Sequence, residues 1–234
     1  MNIVITGGSK GMGKALVIKF ATPGNNVFTC SRNNAELKIL ADEINNKNKK
    51  IIVQYFAADL SLKNEAKAFG SWVLNKISCP DILINNAGLF LPGSIYNEEE
   101  GTLEKLMAIN VYSAYDLTRI LLPAMIKKMS GHIFNMCSIA SLTAYKQGGS
   151  YSISKHALMG FSKNLREELK PYNIKVTTVY PGAVYTGSWE GSGVAPSRIM
   201  EVNDIAEMIY AASLLSPQAC VEEIIIRPQQ GDLP

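Results

Sequence analysis

The sequence is short of cysteine, of charge and of long apolar runs. Its 234 residues include 2 histidines and four dispersed cysteines, Cys30, Cys79, Cys137 and Cys220. This spacing matches no zinc site, so we expect a reduced, cytoplasmic protein without a metal. No stretch reaches the roughly 18 uncharged apolar residues that a membrane span needs. The first residues lack the basic start and long apolar stretch of a secretory signal.

Charge of one sign is also scarce, because 23 Lys and Arg residues face 20 Asp and Glu residues. The densest basic cluster, Lys47, Lys49 and Lys50, is typical of a solvated helix end and not of a stripe that binds phosphates. We therefore expect neither nucleic acid nor a membrane as a partner. With 47% hydrophobic and 18% charged residues, the chain can offset its ordering entropy by burying a large core.

Short β-branched segments alternate with helical patterns along the whole chain. The predicted strands are Asn2–Thr6, Asn26–Ser31, Lys50–Phe56, Asp81–Asn85, Gly131–Cys137, Ile174–Tyr180 and Glu222–Arg227. Most are apolar throughout, as expected for strands covered on both faces. The predicted helices are Gly11–Thr22, Ala35–Asn46, Lys63–Lys76, Glu99–Lys128, Tyr151–Lys170 and Asn203–Leu215. This order predicts an α/β fold with a doubly wound, parallel, seven-stranded sheet of the Rossmann type.

Nothing in the sequence divides the chain into parts. It has no composition shift, no long linker and no repeat of fixed period. We therefore expect residues 1–234 to form a single domain, which contains both the binding residues and the catalytic residues. The Gly- and Ser-rich segment Tyr185–Pro196 is the candidate mobile lid.

The first predicted strand ends in a glycine-rich turn that leads directly into a helix. The turn reads Thr6-Gly7-Gly8-Ser9-Lys10-Gly11-Met12-Gly13. Glycines let the backbone approach a pyrophosphate, which then lies at the helix N-terminus where unpaired amides point outward. An ordinary tight turn is the alternative, but the position between the first strand and the first helix favours a dinucleotide site.

The end of the second predicted strand indicates which dinucleotide binds. An NAD-binding fold usually has an acid here to bind the ribose 2′-hydroxyl. This chain has Cys30-Ser31-Arg32-Asn33 instead. Arg32 could bind a 2′-phosphate with its planar guanidinium, and Lys10 could approach the same phosphate. Two cations and no acid favour NADP(H) over NAD(H), although Arg32 could instead cap a solvated loop.

Polar residues follow the third and fourth predicted strands as well. Asp59, in Ala57-Ala58-Asp59-Leu60, lies where a carboxylate could accept from an adenine amino group. It could equally be an acid that favours the start of the next helix, and the two roles are compatible. The segment Asn85-Asn86-Ala87-Gly88 closes the fourth strand, where its side-chain amides and small Gly88 would border the cofactor crevice.

Tyr151 and Lys155 are four residues apart, which places them on one face of a helix. A free tyrosine has a pKa near 10, and a neighbouring ammonium stabilises the phenolate and lowers that pKa. Such a pair is common by chance. The pair becomes significant because Ser138 lies thirteen residues before Tyr151 and Asn110 lies in the preceding predicted helix.

These motifs together resemble the short-chain dehydrogenase/reductase family, in its compact single-domain branch. The resemblance runs along nearly the whole chain through the Thr6–Gly13 turn, Asp59, Asn85–Gly88, Asn110, Ser138, Tyr151 with Lys155, and Pro181-Gly182 followed by Thr186. It implies an NADP(H)-dependent enzyme that interconverts a carbonyl and an alcohol. A dinucleotide sensor without turnover is the alternative, but it should have a damaged catalytic set.

The resemblance also implies a role for each catalytic position. Tyr151 would donate a proton to the substrate carbonyl, and Ser138 would hydrogen-bond the same oxygen. Lys155 would bind the nicotinamide ribose and depress the pKa of Tyr151. Asn110 would hold a water that links Lys155 to solvent.

Further cofactor contacts are implied by the same resemblance. Thr186 and the backbone after Pro181-Gly182 would meet the nicotinamide carboxamide. The full implied cofactor set is Gly7, Ser9, Lys10, Gly11, Met12, Gly13, Arg32, Asp59, Leu60, Asn86, Ala87, Gly88, Tyr151, Lys155, Pro181, Gly182, Val184 and Thr186. Relatives are usually dimers or tetramers, so we expect a homodimer or homotetramer built on Glu99–Lys128 and Tyr151–Lys170.

The substrate is the least determined part of the prediction. The expected wall residues are Phe90, Leu91, Pro92, Leu142, Tyr145, Gln147, Tyr185 and Trp189. They fit a flat or apolar carbonyl compound, although each could be a core or subunit-contact residue. The C-terminal segment Val221–Asp232 is similar to endings of bacterial sepiapterin-reductase-like members, where an acid can anchor the pterin, and Asp232 could be that acid or a solvated tail residue. The middle of the chain resembles 3-oxoacyl-[acyl-carrier-protein] reductases, which stay the alternative.

Overall fold

The strands form one parallel sheet. The computed structural model describes residues 1–48, 50–189, 191 and 193–233. The strands are β1 Asn2–Thr6, β2 Asn26–Ser31, β3 Ile52–Ala57, β4 Ile82–Asn85, β5 Gly131–Met136, β6 Ile174–Pro181 and β7 Glu223–Ile226. They lie in the order β3-β2-β1-β4-β5-β6-β7, and every neighbouring pair is parallel. The predicted doubly wound sheet is confirmed, and its order reverses between β1 and β4.

Helices cover both faces of this sheet. They are α1 Gly11–Phe20, α2 Asn34–Lys47, α3 Lys63–Lys76, α4 Thr102–Met107, α5 Ser113–Lys128, α6 Gly149–Leu169 and α7 Val202–Ser213. Residues of α1, α2 and α7 pack into the core on one face, and residues of α3, α5 and α6 pack into the core on the other. In the described part of the chain, none of these helices has the length and apolar character to cross a bilayer.

Strand β1 shows why most strands are apolar throughout. Ile3 and Ile5 belong to the core beneath α1 and α7, whereas Val4 belongs to the core on the opposite face. All three are fully buried. Because successive strand residues point to opposite faces, a sheet covered on both faces needs an apolar residue at every position.

The long helix predicted over Glu99–Lys128 is wrong in two respects. The helix begins at Thr102, since Gly101 before it adopts a left-handed conformation with φ +84°. It is then interrupted by one π-helical segment, Ala108–Tyr112, between α4 and α5. Single π turns within α-helices are frequently found at functional sites, and this one contains Asn110.

The predicted lid, Tyr185–Pro196, is anchored at its base. A backbone bridge joins Val184 to Met200, and the Tyr185 amide donates to the Met200 carbonyl at 2.8 Å. Arg198 then donates to the backbone carbonyls of Gly231 and Asp232 at 2.9 and 3.0 Å. The C-terminal segment therefore holds one end of this loop. Glu190 and Ser192 of the predicted lid, and Lys49 of the basic cluster, lie outside the described residues.

Candidate active site

The glycine turn leaves no room for side chains at its most crowded point. A Cβ on Gly13 would lie 2.0 Å from the Gly7 carbonyl oxygen, which is backbone and cannot move aside cheaply. Gly7 and Gly11 have φ of +70° and +51°, which favours glycine. No side chain caps the start of α1. The first amides of α1 are therefore available to a ligand's pyrophosphate.

A cleft of about 1150 Å³ opens above this turn, at the carboxyl ends of the central strands. Most of the predicted cofactor residues line it, namely Gly7, Ser9, Lys10, Gly11, Met12, Gly13, Arg32, Asp59, Leu60, Asn86, Ala87, Gly88 and Thr186. The cleft is large enough for a dinucleotide, and its backbone cradle, which a Cβ at Gly13 would fill, fits the pyrophosphate of such a group.

Lys14, Glu36, Lys105 and Ile109 are among the further lining residues that escaped the sequence analysis. Lys14 is one helical turn after Lys10, so the glycine motif itself offered a signal for it. Glu36 follows the helix cap Asn33 by three residues, which is the spacing of a capping pattern. Lys105 and Ile109 had no comparable signal, because Lys105 lies in α4 and Ile109 lies in the π segment that follows it.

Glu36 overturns the expectation that no acid stands near the cofactor phosphate. Its carboxylate lies 2.9 Å from the ammonium of Lys10. The hydrogen bond from Lys10 holds the pKa of Glu36 below its ordinary value. The acid comes from the first turn of α2, whereas the end of β2, where an NAD-binding fold usually has its acid, has none. Lys10 is therefore already paired, whereas Arg32 lines the cleft without an ion pair among the described residues.

Asp59 has a local structural role as well as a place in the cleft. Its Oδ1 accepts from the backbone amide of Ser61 at 3.0 Å and from the Ser61 hydroxyl at 2.7 Å. This is the pattern of an Asx turn, which closes the chain on itself after β3. The turn with Ser61 is thus a structural role of Asp59, and its contact with an adenine amino group stays a prediction.

Of the two amides after β4, only Asn86 reaches the cleft, which corrects the expectation for Asn85. Asn85 is buried and donates to Thr118 Oγ1 at 3.0 Å and to Asn135 Oδ1 at 2.8 Å. It ties β4 to β5 and α5. Asn86 donates to the Thr6 carbonyl at 2.8 Å and so joins the glycine turn to the end of β4.

The hydroxyls of Ser138 and Tyr151 are neighbours at the end of β5, where Ser138 stabilises the ionised phenol. The Ser138 hydroxyl oxygen also accepts from the Ala140 amide at 3.1 Å, which orients it. Phe90 packs edge-on against the Tyr151 ring with 4.9 Å between centroids. These contacts fix the phenol and a second hydroxyl side by side, facing the segment after β4.

The pKa of Tyr151 is raised, contrary to the expectation that Lys155 lowers it. Loss of water around the phenol raises the pKa, and the hydrogen bond with Ser138 offsets only part of this effect. Lys155 is itself buried, and burial lowers the pKa of its ammonium. Its Nζ lies over the Tyr151 ring, 5.8 Å from the centroid, which is near the outer limit of a cation–π contact.

Asn110 uses its whole amide to hold the chain after β4. Its Oδ1 accepts from the Leu89 amide at 2.8 Å, and its Nδ2 donates to the Leu89 carbonyl and the Ser154 hydroxyl, each at 3.0 Å. A Cβ on Gly88 would lie 3.2 Å from Asn110 Oδ1 and 3.5 Å from Lys155 Nζ. Gly88 therefore fits between these two side chains.

Among the predicted cofactor residues at the end of β6 and after it, Thr186 lines the cleft, whereas Pro181, Gly182 and Val184 are not among its lining residues. Pro181 ends β6, and a Cβ on Gly182 would lie 3.0 Å from Pro228 and 3.3 Å from Asp232 Oδ1. Val184 is buried in the core. Asp232 forms an ion pair with Arg227. The C-terminal segment therefore packs directly against the Pro181-Gly182 turn. The amino-acid sequence of Val221–Asp232 does not indicate this contact.

A glycine turn at the switch point of a doubly wound sheet is the architecture of dinucleotide-binding oxidoreductases. A family model described as short chain dehydrogenase matches residues 1–193, and the chain belongs to that family. The protein is accordingly an oxidoreductase that acts on the CH–OH and C=O pair.

Relatives and solved structures agree with this family. The chain is 29% identical to the sepiapterin reductase of Chlorobaculum tepidum over 99% of this chain and 97% of that protein. It is 34% identical to dehydrogenase/reductase SDR family member 7B of Xenopus laevis, over 79% of this chain and 58% of the relative. A metagenomic short-chain oxidoreductase, solved in complex with NADP, superposes with a TM-score of 0.85 at 29% identity, over 98% of this chain and 97% of that one.

Proposed function

We propose that this protein reduces a ketone or aldehyde to an alcohol, or catalyses the reverse reaction, with NADP(H). The observation that carries the proposal is the pair of adjacent hydroxyls, Ser138 and Tyr151, beside the buried Lys155. Two hydroxyls held side by side can bind one carbonyl oxygen and deliver a proton to it.

The charge of the cleft supports NADP(H). Its described lining includes four cations, Lys10, Lys14, Arg32 and Lys105, against the two acids Glu36 and Asp59. This surplus of positive charge suits a dinucleotide with an additional 2′-phosphate, which Arg32 would bind. The similar metagenomic oxidoreductase was solved with NADP. When bound, the nicotinamide supplies or accepts the hydride.

The protein's own residues then manage the proton. Tyr151 would donate it to the carbonyl oxygen, and its raised pKa keeps the phenol protonated at neutral pH. Ser138 would hold the same oxygen, with its hydroxyl oriented by the Ala140 amide. Lys155 would hold the nicotinamide ribose, and Asn110, whose side chain fixes the Leu89 backbone, would hold the water that links Lys155 to solvent.

The substrate we propose is a pterin side-chain carbonyl or a small dicarbonyl. The similarity to a sepiapterin reductase extends over nearly the whole of both chains. Phe90 covers the Tyr151 ring, and Phe90, Leu142 and Tyr145 are exposed, as an apolar wall would be before a flat substrate binds. Asp232 lies next to Gly182, on the side of the site where an acid could meet amino groups of a pterin.

Consumption of NADPH by the purified protein tests this proposal. The panel consists of sepiapterin, diacetyl, an aromatic aldehyde and an acetoacetyl thioester, with NADH in parallel. Preferential turnover of sepiapterin or diacetyl supports the proposed substrate class. Preferential turnover of the thioester would replace it with a carrier-protein reductase, and faster turnover with NADH would overturn the cofactor assignment.

We further propose a single domain over residues 1–234, a cytoplasmic location and a homodimer or homotetramer. The outer surfaces of α5 and α6 support self-association, since Tyr115 and Ile153 are exposed there and Tyr115 packs on Phe161. Light scattering on the purified protein gives the mass of the particle. A monomer at micromolar concentration would contradict the assembly.

A further inference from the structure

A single carboxylate joins the segment after β4 to the start of the helix that bears Tyr151. Glu98 Oε1 accepts from the backbone amide of Ser150 at 2.8 Å, and Oε2 accepts from the Ser150 hydroxyl. Ser150 lies in the first turn of α6, immediately before Tyr151. Glu98 is thus bound by both polar groups of the residue adjacent to the proposed proton donor.

Two glycines make this contact possible. A Cβ on Gly149 would lie 1.6 Å from Glu98 Oε1, and a Cβ on Gly93 would lie 2.7 Å from Glu98 Cγ. The Gly93 amide also donates to the Gln147 carbonyl at 3.0 Å, and Gln147 has a φ of +59°. Backbone in this region costs free energy for a residue with a side chain, so the contacts must compensate for it. The loop and the start of the helix therefore fit around the Glu98 side chain.

The same segment touches Tyr151 from a second direction. Phe90 packs against its ring, whereas Glu98 holds the residue before it. Asn110 fixes Leu89, the residue before Phe90, and also binds Ser154 on the next turn of α6. The position of the phenol consequently depends on the segment 88–98 at both ends.

We propose that Glu98 is a positioning residue for Tyr151, and that it couples the substrate wall around Phe90 to the first turn of α6. The inference rests on the proposed role of Tyr151 as proton donor. A negative charge at a helix N-terminus would also stabilise α6 through the helix dipole. Positioning requires hydrogen-bond acceptor atoms in the right place, whereas stabilisation through the helix dipole requires the negative charge of Glu98.

The experiment compares Glu98→Ala with Glu98→Gln, and uses Glu99→Gln as the matched control because Glu99 is an exposed neighbour. We measure kcat and KM for carbonyl reduction, the Kd for NADPH by fluorescence, the melting temperature, and hydrogen exchange of peptides that cover residues 88–98 and 145–155. We expect Glu98→Ala to lower kcat about ten-fold, because small displacements of reacting groups are costly. It should leave the Kd for NADPH within about two-fold and accelerate exchange in both peptides.

The amide variant should rescue most of that loss, since its oxygen can accept from the Ser150 amide and its NH₂ can donate to the Ser150 hydroxyl. Equal losses in the two variants would overturn positioning in favour of the dipole effect. Unchanged exchange in Glu98→Ala would overturn the coupling. Hydrogen exchange is measured without turnover. Full activity of Tyr151→Phe would therefore refute the proposed function, whereas the exchange data would still test whether Glu98 couples the two segments.

Discussion

Lys155 donates to the backbone carbonyl of Met136 at 2.8 Å, and its ammonium lies 5.8 Å from the centroid of the Tyr151 ring. The Met136 carbonyl at the end of β5 therefore anchors the ammonium, which also lies at cation–π distance from the Tyr151 ring. A Cβ on Gly88 would approach Nζ to 3.5 Å. Lys155 thus lies next to Gly88, which lines the cofactor cleft.

Removal of the Tyr151 hydroxyl should abolish most turnover. Tyr151→Phe keeps the ring that Phe90 packs against and removes only the proton donor. General acid catalysis contributes typically 10²–10⁴-fold, so we expect kcat to fall by at least about a hundred-fold. Steady-state assays with NADPH and the best carbonyl of the panel measure this.

Tyr145→Phe is the matched control, because Tyr145 is a second phenol near enough to Tyr151 for Tyr151 to raise its pKa. We expect that variant to keep kcat within a few-fold. Residual turnover of Tyr151→Phe above about a hundredth of wild type would exclude Tyr151 as the essential donor.

The phenol of Tyr151 should titrate at higher pH than a free tyrosine. Loss of water raises its pKa, and the hydrogen bond with Ser138 lowers it by less. In the dinucleotide-free protein we expect its midpoint to lie above that of a free tyrosine. The measurement is the ultraviolet tyrosinate signal after a rapid pH jump, taken as wild type minus Tyr151→Phe. Reduction needs the protonated form, so its rate should fall only when the pH exceeds this midpoint.

Ser138→Ala tests whether Ser138 lowers the pKa of Tyr151 and so offsets part of the effect of burial. Loss of the hydrogen bond that stabilises the phenolate should move the midpoint further upward. A midpoint in wild type at or below that of free tyrosine would mean that the Lys155 ammonium outweighs burial, and the expectation drawn from the sequence would then be correct.

The local patterns of the sequence were sufficient for most elements, and the errors concern contacts between distant segments. The bounds of β1, β2 and α3 agree with the prediction, because apolar strands ended by glycine or polar residues carry their own signals. The π segment at Ala108–Tyr112 has no such signal. It depends on Asn110 reaching Leu89, a contact that exists only after the sheet has formed.

The residues of the site divide in the same way, into local motifs and contacts between distant segments. The glycine turn and the Tyr151–Lys155 spacing are local, so the sequence contains them. Glu98 and Ser150 are 52 residues apart, and nothing in either neighbourhood indicates their contact. Glu36 is intermediate: the capping pattern with Asn33 indicates a helix start, but not that this turn reaches Lys10.

Charge reversal at Arg32 should change the preference between dinucleotides. Arg32 lines the cleft at the end of β2, so Arg32→Asp would place an acid where a 2′-phosphate is expected and a ribose 2′-hydroxyl could be bound instead. We expect the ratio of kcat/KM for NADPH to that for NADH to fall by at least about ten-fold, which is the effect of losing one charge-assisted contact. An unchanged ratio would show that the 2′-phosphate does not bind at the end of β2.

Glu36→Gln should have the opposite effect on the same ratio. The carboxylate pairs with Lys10, so its neutralisation frees the ammonium for a phosphate and removes a like charge from the cleft. Because Lys10 is largely exposed and this pair is screened by solvent, we expect a gain for NADPH of only about two- to five-fold. The gain should shrink as salt is raised. Weaker binding of NADPH in Glu36→Gln would mean that Glu36 orients Lys10 toward the phosphate instead of competing for it.

The steric requirement at Gly13 allows a comparison between two glycine-to-alanine variants. A Cβ at Gly13 meets the Gly7 carbonyl at 2.0 Å, whereas nothing lies within 4 Å of a Cβ at Gly160 in α6. Gly13→Ala must therefore open the turn, and we expect weaker NADPH binding by at least about ten-fold together with a lower melting temperature. Gly160→Ala should bind NADPH as wild type does and gain roughly 0.5–1 kcal/mol from helix propensity. Unaltered NADPH affinity in Gly13→Ala would show that the dinucleotide does not depend on the closed turn, and fluorescence titration with NADPH decides between these outcomes.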